Sequence, residues 1–170
     1  MKPSVTAVLA AVSGLIVREV SPALGDTYLS EQLQRSAALL GAAGEEFDRA
    51  AARRVQENQA LRLIFRQAAP LVASAGGGHE SERPAECATG RESGHELARA
   101  LAEAANGSDL DDLRISRLDV DNHRLRALLI RLQAWAEAAE PTPASAALQA
   151  VIWTELRAST ERRALSISRA

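Results

Sequence analysis

The sequence predicts an all-α protein, a bundle of four to five mostly antiparallel helices in one domain spanning residues 1–170. Two observations lead there. Alanine and leucine, both strong helix formers, are abundant. Aromatic residues make up only 3 % of the chain, and the β-branched and aromatic runs of a sheet protein are missing. A length of 170 residues suffices for one domain with a real core.

The first helix is expected over Ser4–Val20. Val5, Val8, Leu9, Val12, Leu15, Ile16 and Val20 recur at helical spacing and form its large inward face. Ala7, Ala10, Ala11 and Gly14 form a second, small-residue face that another backbone could approach. Ser21-Pro22 should stop the helix, because proline lacks the N–H and restricts the residue before it. The apolar stretch Val5–Val17 also has the look of a signal-peptide core. It is too short to cross a membrane, and Arg18-Glu19 follow at once, so a buried helix is the preferred reading.

A second helix starts near Asp26 or Thr27 and keeps its spacing to Ala69 through Leu29, Leu33, Ala37, Leu40, Phe47, Ala51, Leu61 and Phe65. Unbroken, it would be on the order of 65 Å long. That is more than a compact bundle of this size needs, so a break is expected at Gly41 and Gly44 and an end at Pro70. An unbroken helix that dimerises is the alternative. Ser74–Gly94 carries many glycines and few apolar anchors, and is expected to be a long mobile loop. A short helix from Gly94 to Ala105, with Leu97, Leu101 and Ala104 inward, ends at Asn106-Gly107.

Ser108–Ala139 reads as one long amphipathic helix, capped by Ser108 or Asp109. Leu118, Leu125, Leu129, Leu132 and Ala136 share one face, with Leu128 and Trp135 on its shoulder. Asn122 interrupts that face. The last helix begins with Thr142 as cap and Pro143 in the first position, carries Leu148, Val151, Ile152 and Leu156 inward, and ends near Ala164.

Two segments echo one another sixty-four residues apart: Glu57-Asn58 with Leu61-Arg62, and Asp121-Asn122 with Leu125-Arg126. Each places one asparagine on an otherwise apolar face. A buried amide costs stability unless it finds a partner, and it penalises wrong registers. Asn58 and Asn122 are therefore expected to bond inside the bundle or across a dimer. The alternative is a ligand pocket made by Asn58, Arg62, Asn122 and Arg126.

Composition narrows the function classes. The net charge of −2, with acids and bases interspersed, gives no bulk attraction to nucleic acid or anionic lipid. Lys2 is the only lysine, and the arginine bias reads as codon usage. The single cysteine, Cys87, cannot form an internal disulfide, which points to the cytoplasm. His79, Glu80, Cys87, His95 and Glu96 match no zinc spacing, and no helix carries Glu-x-x-His, so no metal is expected. Gly76-Gly77-Gly78 lacks the Gly-Lys-Ser/Thr of a phosphate loop, and no catalytic residues or cofactor are indicated. Arg117, Arg124 and Arg131 recur every seven residues; a solvated edge paired with glutamates of a neighbouring helix is preferred to an anion clamp.

Several residues of the first fifty carry a resemblance: Lys2-Pro3, Leu9, Val12, Val20-Ser21-Pro22-Ala23-Leu24, Tyr28, Ala37-Ala38-Leu39-Leu40 and Glu45-Glu46-Phe47. In these the chain resembles an uncharacterised bacterial family of small helical proteins. Its members are encoded beside aminoglycoside-phosphotransferase-like kinases and acyl-CoA dehydrogenases. The resemblance covers under a third of the chain, and the family often has an asparagine near the position of Ser36. It implies a cytoplasmic, all-α accessory protein with a protein partner in acyl-CoA or kinase-linked metabolism. No activity is established for the family, so no catalytic residue carries over.

Two functions are thus expected in order. The first is a non-catalytic interaction protein, homodimeric, binding neither nucleic acid nor membrane. The second is a binder of a CoA- or phosphate-containing ligand, or an enzyme, using an arginine-lined pocket between helices.

Overall fold

The computed structural model describes residues 2–76, 94–108, 111–139 and 142–165. Among them there is helix and no strand. In chain order the helices are α1 (Val5–Leu15), a π-helical turn (Ile16–Val20), α2 (Ser21–Ala23), α3 (Thr27–Gly76), α4 (Gly94–Ala105), α5 (Ile115–Ala138) and α6 (Pro143–Arg163). The chain gathers into two compact units, Met1–Arg53 with Arg162–Ala170, and Arg54–Glu161.

In the first unit, Ser4 caps α1 by accepting the Ala7 N–H at 3.2 Å. The helix does not stop at Ser21-Pro22. It widens into the π turn, where the Ser21 N–H reaches the Ile16 carbonyl, and continues to Ala23. A wider turn relieves the clash that the proline ring would make with the carbonyl four residues back. The face seated on α3 is narrow. Ser13 Oγ donates to the Ala37 carbonyl at 2.9 Å, Leu9 lies over Gly44, and Ser21 shares a 2.6 Å hydroxyl contact with Ser30. The large face expected to be buried is outside: Val5, Val8, Val12, Leu15 and Val20 are exposed. The part of α3 beside α1 offers Ala37, Leu40, Gly44, Glu45 and Asp48, a surface that is mostly small or polar and gives little apolar area to cover a row of valines. Leu29 and Phe47 of α3, also expected inside, are exposed.

Asp26 caps α3 through the Leu29 N–H at 3.1 Å. The helix then runs unbroken through Gly41, Gly44 and Pro70. Glycine costs only about 1 kcal/mol each against the flanking helix formers. At Pro70 the lost hydrogen bond is to the carbonyl of Arg66; both residues are exposed, so water can satisfy that oxygen. Ala68 and Val72, fully buried beside it, hold the helix in place to Gly76. The expected mobile loop Ser74–Gly94 is helical at both margins, and its residues 77–93 lie outside the described residues.

In the second unit α3, α4, α5 and α6 enclose one apolar core. Phe65, Val72, Leu101, Leu132 and Ile152 are its most deeply buried large apolar members. Leu125, Leu128, Leu129 and Ala136 complete the inner face of α5 as the spacing predicts. Val151 of α6, expected inside, is exposed. Thr142 caps α6 by accepting the Ser145 N–H at 3.1 Å. The start of α5 differs from the expected Ser108. Asp112 accepts from both the backbone N–H and the guanidinium of Arg114, at 2.6–3.0 Å, and Arg114 is extended. A carboxylate bonding two residues on offers the backbone an alternative to helix, so α5 begins only at Ile115.

Candidate functional site

The most concentrated polar chemistry in the described residues lies inside the second unit, where α3, α5 and α6 meet. Glu57 of α3 is its centre, with 1 % of its surface exposed. Burying a carboxylate costs several kcal/mol unless charges and hydrogen bonds compensate. Compensation comes from three helices. Ser159 of α6 donates to Oε1 at 3.1 Å. Arg54, one turn earlier on α3, donates to Oε2 at 3.1 Å. Arg126 of α5 stands 3.8 Å from Oε2 and donates to the Ser159 hydroxyl at 2.7 Å. Arg54 reaches on to Asp119.

The two asparagines complete the cluster. Asn122 donates to Asn58 Oδ1 at 2.9 Å and to Glu57 Oε2 at 3.3 Å. Asn58 donates to the Leu118 carbonyl at 3.4 Å. Asn58 is fully buried and Asn122 nearly so. The amides meet across helices as the echo predicts. The acids of the two echoed segments part company. Glu57 is interior, whereas Asp121 pairs with Arg117 at 3.4 Å and Arg124 at 3.9 Å along its own helix. Arg117 and Arg124 therefore pair within α5, not with glutamates of a neighbour.

Of the four residues singled out from sequence, Asn58, Asn122 and Arg126 come together around Glu57. Arg62 is elsewhere. It donates to the Ala104 carbonyl at the end of α4 at 2.9 Å, and its guanidinium lies where a Cβ on residue 107 would stand, 2.2 Å away. Arg62 lies close against Gly107 and serves the last turn of α4. Glu57, Arg54 and Ser159 were not singled out. Glu57 did carry a signal, as the acid beside each echoed asparagine; Ser159 carried none, since serine near a helix end is ordinary.

Arg54 and Arg126, the cationic side chains of the cluster, are engaged by Glu57, Asp119 and Ser159. A separate open groove of about 320 Å³ lies between α3 and α6, lined by Ala60, Leu63, Ile64, Ala150, Val151, Thr154, Glu155 and Ala158. Its walls are mostly apolar, apart from Thr154 and Glu155, and include none of the cluster residues. No group of three or more His, Cys, Asp or Glu that could hold a metal occurs among the described residues.

On the surface the dominant feature belongs to the first unit. The run Val5–Ala23 is long and apolar enough, by length and composition, to cross a membrane, and only 6 % of its most apolar window is buried. It is longer than the apolar stretch Val5–Val17 that stood out in the sequence, because the π turn carries the helix past Pro22. No family model, no curated protein and no solved structure matches this chain.

Proposed function

We propose that this protein is a non-catalytic helical accessory protein of the cytoplasm that works through its surface, as a homodimer. The observation that carries the reading is the apolar row on α1 and the turn after it. Val5, Val8, Val12, Leu15, Val17 and Val20 are each 39–47 % exposed. Val5, Val8, Val12 and Leu15 share one face, and an exposed apolar face of this kind marks an interaction site. The resemblance of the N-terminal third adds a partner class, a protein of acyl-CoA or kinase-linked metabolism. A CoA- or phosphate-ligand reading draws less support, because Asn58, Arg62, Asn122 and Arg126 are each bonded to protein groups.

The test is mass in solution. Light scattering over about 5 to 200 µM should show the mass rising to twice the 18.1 kDa of one chain. A single-chain mass across that range overturns the homodimer.

A further inference from the structure

We propose that the end of α6, residues 157–163, is a latch that stays shut only while Glu57 is ionised, and that acid opens it ahead of the rest of the core. α6 is held differently along its length. Leu148 and Ile152 are buried in the apolar core, and Leu156 packs against it. Past Leu156 the buried residue of α6 is Ser159, whose hydroxyl donates to Glu57 Oε1 at 3.1 Å. Farther on, Arg49 donates to the carbonyls of Arg162 and Ala164 at 3.2 Å, and its side chain is 40 % exposed. Apolar burial is the stronger hold, because a polar contact broken by opening is replaced by one to water. The end of α6 is therefore the part of the helix with least to lose on opening.

The shell around Glu57 is made for a carboxylate. Oε1 meets the Ser159 O–H, and Oε2 meets N–H groups of Arg54 at 3.1 Å and Asn122 at 3.3 Å, with the Arg126 guanidinium 3.8 Å away. Each of these groups is a donor. The Ser159 oxygen is itself occupied by the Arg126 N–H at 2.7 Å, which turns the hydroxyl proton toward Glu57. Protonated Glu57 would bring an O–H into this shell and face donors from three helices. The acceptors beside them, Asn58 Oδ1 and Asp119, are taken by Asn122 and Arg54. A buried hydroxyl without an acceptor is costly, so the neutral acid is admitted when α6 moves off and water enters.

The charged groups facing Glu57 are Arg54 of α3 and Arg126 of α5, with Asp119 of α5 reached through Arg54; α6 brings the Ser159 hydroxyl. Asp119, 35 % exposed, touches Arg54 and not Ser159, so its titration does not release α6. In the open latch Glu57 meets water, where a glutamate takes its proton near pH ~4.3. The open form binds that proton and the shut form does not. Opening is therefore favoured as pH falls, by up to about tenfold for each unit below that value, and the latch stays shut above it.

Amide hydrogen exchange of the full chain, corrected for the intrinsic pH dependence of exchange, tests this. Between about pH 6 and about pH 3, protection of residues 157–163 should fall about tenfold or more, while the buried face of α5 keeps its protection. Ser159→Ala leaves Glu57 charged but removes the hold on α6, so 157–163 should exchange fast at either pH. Glu57→Gln has the same shape and no proton to gain, so its 157–163 protection should be low already at the higher pH and independent of pH. Asp119→Asn should keep the pH dependence of the native chain. Native-like pH dependence in Glu57→Gln assigns the response to another group and overturns the proposal. Unchanged protection of the native chain down to the lower pH overturns it too, as does simultaneous loss in α5 and the end of α6. Should Glu57→Gln fail to fold, Ser159→Ala decides: native protection of 157–163 in that variant removes the latch.

Discussion

The two compact units solve the problem of apolar surface in opposite ways. In Arg54–Glu161 four helices converge, and phenylalanine, leucine, isoleucine and valine are buried against one another. In the first unit the only buried apolar residues among those described are Ala37, Ala42 and Ala50. Its valines and leucines stand outside, and its helices are joined by serine hydroxyls and a glycine contact. Burial of large side chains is the main source of stability, at roughly 1.5–3 kcal/mol for each fully buried one. The second unit therefore carries its own stabilisation, while the first leaves its large apolar side chains exposed and gains little from them.

Core truncation separates the two most sharply. Phe65→Ala removes a fully buried ring from the second unit and should cost about 3–5 kcal/mol in urea unfolding. Val12→Ala removes an exposed side chain from the first and should change stability by less than about 0.5 kcal/mol at a dilution where light scattering gives the single-chain mass. The contrast breaks if Val12→Ala at such dilution costs several kcal/mol, because that residue would then be buried within a single chain.

The buried polar cluster tests whether the second unit depends on specificity as well as on apolar burial. Asn58→Leu or Asn122→Leu alone leaves an amide or the Glu57 carboxylate short of a partner, at about 1–3 kcal/mol. The double variant should lose clearly less than the sum of the two. A double-mutant cycle by urea denaturation reads the coupling, and additivity within about 0.5 kcal/mol would mean the 2.9 Å amide contact carries no energy of its own.

Legibility in the sequence followed the same division. In the second unit, spacing located the buried face of α5, the caps of α6, the end of α4 at Asn106-Gly107 and the meeting of Asn58 with Asn122, because there period and burial agree. In the first unit, spacing named an apolar row correctly as one helix face but assigned it to the interior. Periodicity reports which residues share a face; it does not report whether the chain has enough apolar partner surface to cover it. A break at Gly41 and Gly44 and an end at Pro70 were expected, yet helix passes each one, whereas the stop expected at Ser21-Pro22 falls one residue later, after Ala23. The penalties of glycine and proline are a few kcal/mol at most, and burial or a widened turn outweighs them. Glu57 was overlooked as a site centre because a lone glutamate in a helix is usually solvated.

The smallest effect concerns an ion pair at the other extreme from Glu57, the exposed contact of Asp112 with Arg114 before α5. The Arg114 side chain bonded to Asp112, helped by the Arg114 backbone N–H and by the positive charges of Arg114 and Arg117, lowers the carboxyl from 3.8 to about 2. A lowered acid binds protons less readily in the folded chain than in the unfolded one. Its contribution is therefore complete above pH 3.8 and disappears as pH falls toward 2. The pair lies at the surface, so salt should screen it. Carboxyl NMR titration should place the Asp112 midpoint near pH 2, and Arg114→Ala should return it toward 3.8. Asp112→Asn keeps a hydrogen-bond acceptor for the Arg114 N–H but removes the charge, so the start of α5 at Ile115 should survive it. If helicity instead extends back into residues 111–114 in that variant, the charge itself, and not the local hydrogen bond, sets the boundary.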